Sequence, residues 1–105
     1  MTAPTVVEAG IDELGAALAA GQTSAVALLE AYLARIQAFD APGTATALNA
    51  YVVMNRDARA DAEASDARRA RGETRGPLDG IPYSAKNSYL ATGLTAAAGS
   101  PAFTA

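Results

Sequence analysis

Apolar positions recur at helical spacing in the first forty residues and lose that spacing afterwards. In "IDELGAALAA", residues 11–20, Ile11, Leu14 and Leu18 fall at i, i+3 and i+7, the stripe of an amphipathic helix. Asp12 and Glu13 lie in its first turn, where the positive end of the helix dipole favours acids. Gly21 is the expected stop. A second, more strongly periodic helix follows in "TSAVALLEAYLARIQAFD". Val26, Leu29, Leu33 and Ile36 form its stripe, Leu28 and Tyr32 widen it, and Thr23 or Ser24 is available as N-cap. Pro42 and Gly43 in "DAPGTA" then interrupt the pattern.

Residues 48–55, "LNAYVVMN", are apolar on both alternating faces and predict a strand buried on both sides. Residues 56–71 predict a helix by composition, with acids Asp57 and Asp61 early and Arg68, Arg69 and Arg71 late. Its candidate core stripe is alanine alone, at Ala60, Ala64 and Ala67. It is therefore expected at the surface, with the arginines as a solvated helix end. A turn-rich "GETRGP" leads into "GIPYSA", a short strand candidate that enters Lys86. Two helices, a strand, a helix and a short strand make an α/β alternation. So few strands cannot complete a sheet, and we expect a piece of a larger domain that stops without a closing element.

Composition narrows the chemistry. The 105 residues carry eight basic and eleven acidic side chains, a net charge of −3. This mild acidity argues against a general nucleic-acid or membrane-surface role. The chain has no cysteine and no histidine, which removes disulfides, thiol nucleophiles and a Ser-His-Asp triad from these residues. No cofactor is expected. No apolar run approaches the roughly 20 residues needed to span a bilayer. "MTAPTVVEAG" lacks a basic start and an apolar segment, so no secretory signal is expected. These features predict a soluble, cytoplasmic protein.

The eight basic residues comprise one lysine, Lys86, and arginine at 35, 56, 59, 68, 69, 71 and 75. Genomic base composition is one explanation; the other is a need for an amine that can titrate, which arginine cannot supply. If residues 81–86 are extended, Ser84 and Lys86 share a face. A neutral lysine can take a serine's proton, although a Ser-x-Lys triplet is weak evidence for such a pair. Gly80, Pro82, Gly93 and Gly99 suit a backbone that turns tightly or approaches something closely. Asp79 and Asn87 flank the segment without an evident partner.

"GPLDGIPYSAKNSYLATGLTAAAGSPAF" resembles the first signature block of the amidase signature family of serine amidohydrolases. The resemblance rests on Gly76-Pro77-Leu78, Gly80-Ile81-Pro82, Lys86, Gly93, Thr95 and Gly99-Ser100. The upstream helices and the 48–69 region are similar too, so that it covers about residues 11–103. It implies that residues 1–105 are the N-terminal part of a single amidase-signature domain. That part would comprise N-terminal helices plus the first strands of a larger mixed-sheet α/β fold, incomplete here.

The resemblance also implies hydrolysis of a small-molecule carboxylic amide by a nucleophilic serine, a second serine in a cis peptide, and a lysine matching Lys86. Both serines belong to a Gly/Ser-rich block downstream of the matched region. Ser84, Ser88 and Ser100 do not match their positions. The family commonly has Asp after the lysine; here it is Asn87, which supports a cation less. The 105 residues alone would be inactive. The alternative is a truncated, non-catalytic relative that serves as an interaction module.

Overall fold

The computed structural model describes residues 5–48, 50–51 and 54–86. Three helices appear in them: α1 (Ile11–Ala19), α2 (Ala25–Phe39) and α3 (Ala58–Ala70). Among the described residues there is no strand.

Helix α1 ends as its sequence suggests. Gly21 adopts φ +73°. The Gln22 N–H donates to the Ala17 carbonyl (2.9 Å) and the Gly21 N–H to that of Leu18 (3.2 Å). This paired closure requires a left-handed residue just past the helix, which glycine adopts without steric cost. The buried stripe of α1 is Leu14, Ala17 and Leu18, whereas Ile11 is 56% exposed. Leu14 and Leu18 meet Leu28 of α2 in one apolar cluster, with Val6, Ala9, Tyr32 and Ile81 packed around it. Burying a leucine of this kind stabilises the fold by about 1.5–3 kcal/mol.

The start of α2 has every early donor satisfied. Ser24 is the N-cap, its hydroxyl accepting from the Ala27 N–H at 3.0 Å. The Ala25 and Val26 N–H groups donate to the two carboxylate oxygens of Asp66, on α3, at 2.7 and 3.2 Å. An anion at this helix end is also favoured by the dipole. Ala25 and Leu29 then pack on Ala62, with Val26 and Ala58 beside them. Small residues on both sides let α2 and α3 approach closely.

This packing corrects the expected face of α3. Ala60, Ala64 and Ala67 are exposed; the inward face carries Ala58, Ala62 and Ser65. The two sets differ by two residues, or about 200° around a helix. With alanine on both sides, apolar periodicity cannot choose between them. Polar anchors chose instead: Asp66 reaches α2, and Arg68 and Arg69 reach the loop beyond α3.

The two expected strands are not found among the described residues. In 48–55, residues 49, 52 and 53 lie outside the described set, and the rest form no ladder. The N–H groups of Leu48 and Ala50 are taken by the Asp40 side chain instead. Leu48, Tyr51 and Met54 are exposed, not buried on two sides. Residues 81–86 are irregular. Gly80 is left-handed at φ +97°, the Ile81 N–H turns back to the Leu78 carbonyl (3.1 Å), and Pro82 has no N–H to offer. No helix among the described residues is long and apolar enough to cross a membrane.

Candidate active site

The segment that leads to Lys86 begins at the end of α3. Gly72, at φ +72°, closes that helix as Gly21 closes α1. The Glu73 N–H donates to the Arg68 carbonyl (2.8 Å) and the Gly72 N–H to that of Arg69 (3.0 Å). Residues 76–80 then turn tightly, with the Asp79 N–H on the Gly76 carbonyl at 3.2 Å. The turn lies beside α1, where a Cβ on Gly15 would stand 3.8 Å from the Pro77 carbonyl oxygen. A shallow cleft between them is lined in part by Gly15, Arg69, Thr74 and Pro77.

Asp79 holds this turn onto α3. Its carboxylate accepts from the Ser65 hydroxyl (2.7 Å) and from Arg68 through Nη2 (2.7 Å) and Nε (3.1 Å). The Arg75 N–H adds a fourth bond at 3.0 Å. Arg69 donates to the Asp79 carbonyl oxygen at 3.0 Å. The Asp79 side chain is only 6% exposed and that of Arg68 18%. The two-pronged Arg68 contact, then the Ser65 hydroxyl and the Arg75 N–H, hold the Asp79 carboxyl well below the usual carboxylate range against the opposing effect of burial. Asp79 in turn raises the Arg68 guanidinium, chiefly through the same hydrogen bonds.

Gly80 follows directly. A Cβ there would meet Ser65 Oγ at 3.2 Å, Leu18 Cδ1 at 3.3 Å and Ala25 Cβ at 3.5 Å, contacts from all three helices. Ile81 then packs against the Leu14–Leu18–Leu28 cluster. Pro82 is half-buried, and Tyr83, Ser84, Ala85 and Lys86 are exposed. No hydrogen bond joins Ser84 to Lys86 among the described residues. Asn87, Ser88, Gly93, Thr95, Gly99 and Ser100 lie outside them. The described residues contain no group of three or more acidic side chains placed to hold a metal ion.

Sequence reasoning missed the partners around Asp79. Asp79 has an evident partner after all, and Arg68 and Arg69 are not a solvated helix end. Arg68 and Asp79 are eleven residues apart, across a helix end and a turn, so no helical or strand periodicity pairs them. Ser65, a lone small polar residue among alanines, carries no signal at all. An acid set between the two turn-forming glycines 76 and 80 was the one available hint.

The model of the Amidase family matches residues 27–105. The chain belongs to this family. Among its amidase relatives, a glutamyl-tRNA(Gln) amidotransferase subunit from Anaeromyxobacter sp. (strain K) is 46% identical over 92 residues, covering 87% of this chain and 18% of the relative. The AtzE subunit of 1-carboxybiuret hydrolase from Pseudomonas sp. (strain ADP) is 46% identical over 83 residues, or 79% of this chain and 17% of that one. The crystal structure of PAM12A superposes with a TM-score of 0.88 at 36% identity, over 96% of this chain and 20% of that chain. The chain thus spans less than a fifth of the length of these two curated relatives. Its three helices and anchored turn form a fragment of an amidase fold.

Proposed function

We propose that residues 1–105 are the N-terminal part of a single amidase-signature domain that hydrolyses the C–N bond of a small-molecule carboxylic amide in the cytoplasm. Lys86 is the base. It draws a proton from a nucleophilic serine through a second serine held in a cis peptide, both supplied from outside these residues. The serine oxygen bonds to the amide carbon, the C–N bond breaks, and the amine or ammonia leaves with the proton returned through the lysine. Water then attacks the acyl-serine and releases the acid. Backbone N–H groups stabilise the oxyanion formed in each step. The strands expected of the mixed sheet belong to the same larger domain, and the 105 residues alone are inactive.

The observation that carries this reading is that the amidase match runs through the Gly76–Ser100 block and so includes Lys86. The amidotransferase and hydrolase names of the relatives support amide chemistry in general. A second reading is favoured by the exposure of Leu48 (83%), Leu78 (61%) and Tyr83 (89%). It makes the chain a non-catalytic relative whose apolar surface meets another protein.

The coding sequence beyond Ala105 discriminates between the two. A Gly/Ser-rich block with adjacent serines supports the enzyme, whose full-length product is then assayed for ammonia released from primary amides. An immediate stop codon overturns it in favour of the interaction module.

A further inference from the structure

The turn from Gly76 to Gly80 is built to hold one direction. Pro77 and Leu78 are exposed on it, so the turn is not held by its apolar residues. Its grip is the Asp79 carboxylate, which takes four hydrogen bonds from Ser65, Arg68 and the Arg75 N–H, while Arg69 takes the Asp79 carbonyl. The next residue, Gly80, has no room for a side chain between Ser65 and Leu18. The next, Ile81, is seated in the core formed by α1 and α2. The next, Pro82, has its φ fixed by its ring. Four consecutive residues are therefore constrained, each by a different means, immediately before the exposed stretch that ends in Lys86.

We propose that Asp79 is a positioning residue for Lys86: by clamping the turn to α3 it fixes where the 81–86 segment departs and hence where the lysine amine is presented. This rests on the reading of Lys86 as the base. Asp79 touches neither substrate nor base in this scheme. All its carboxylate contacts are to Ser65, Arg68 and Arg75, so it acts only through geometry. A catalytic group displaced by about 1 Å loses on the order of a hundredfold in rate, which a loosened turn would produce without altering substrate contacts elsewhere.

The test compares wild type, Asp79→Asn and the milder Ser65→Ala in the full-length protein that contains these residues. Steady-state hydrolysis of benzamide is followed by ammonia release, and backbone 15N heteronuclear NOEs are measured at Tyr83, Ser84, Ala85 and Lys86. Asp79→Asn is expected to lower kcat by about tenfold to a hundredfold with KM within about threefold. The NOEs at 83–86 should fall while those in α1 and α2 stay unchanged. Ser65→Ala, which leaves the Arg68 grip intact, gives a smaller change of the same kind, and it decides the matter if Asp79→Asn does not fold. Unchanged NOEs at 83–86 in a folded variant overturn the proposal, as does a loosened segment with unchanged kcat. Lys86→Ala run alongside separates the two readings: hydrolysis that survives it removes the lysine's role as base. The NOEs report on the Asp79 clamp whether or not benzamide is turned over.

Discussion

The carboxylate of Asp66 on α3 accepts hydrogen bonds from the Ala25 N–H at the first position of α2 (2.7 Å) and from the adjacent Val26 N–H (3.2 Å). One helix thus supplies the cap that its neighbour's own sequence lacks. Ser24 serves only the Ala27 N–H. Asp66→Ala leaves two part-buried donors unpaired and removes a charge favoured by the dipole. We expect a loss of about 1–3 kcal/mol by urea unfolding, with Asp66→Asn recovering part of it. Ser24→Ala, at the same helix end, costs about 1 kcal/mol.

Gly80→Ala tests the crowded junction. The substitution combines a left-handed backbone at φ +97° with a Cβ 3.2 Å from Ser65 Oγ and 3.3 Å from Leu18 Cδ1. We expect a destabilisation of about 2–3 kcal/mol, read as a lowered urea midpoint with the slope unchanged. Gly43→Ala shares the positive φ but has nothing within 4 Å of its Cβ, so it should cost about 1 kcal/mol.

Acid stability should report on Asp79. Its folded-state pKa is depressed from the ordinary 3.8, first by the Arg68 hydrogen bonds. The unfolded chain therefore takes up the proton at a higher pH than the folded one, and stability falls as protons bind. The contribution of Asp79 is complete above about pH 5 and is lost as pH drops through 3.8 towards the lower folded value. Urea midpoints measured from pH 2.5 to pH 6 should fall more steeply with acid in wild type than in Asp79→Asn. Parallel curves would contradict the assignment.

Lys86→Arg tests the need for an amine that can give up its proton. Arginine preserves charge and approximate length but stays protonated at any working pH. In the full-length protein Lys86→Arg and Lys86→Ala are both expected to abolish amide hydrolysis, with the melting temperature shifted by no more than a few degrees, since the side chain is exposed in the described structure. Wild-type turnover in Lys86→Arg would refute a titrating lysine.

Much of the local structure was legible because its causes are local. The Leu14–Leu18 stripe, the Ser24 cap and the Gly21 stop all act within a turn of their own helix. The α3 span followed from composition in the same way. The block around Gly76-Pro77-Leu78 and Gly80-Ile81-Pro82 was legible as an amidase resemblance, and the family match includes it.

Only the tertiary structure decided the rest. Residues 48–55 have strand composition, but a strand exists only with a partner ladder, and Asp40 takes the N–H groups of Leu48 and Ala50. The inward face of α3 was undecidable from an alanine-rich sequence. It was set by Asp66 reaching α2 and by Arg68 reaching Asp79. Both bonds join residues far apart in the chain and were formed by the way the helices pack. Sequence alone singled out Lys86 as the one lysine, inside an amidase-like frame. That this frame is clamped to α3 by an aspartate with no sequence-local partner is a property of the assembled fold, because the donors to that carboxylate converge only once the helix and the turn are side by side.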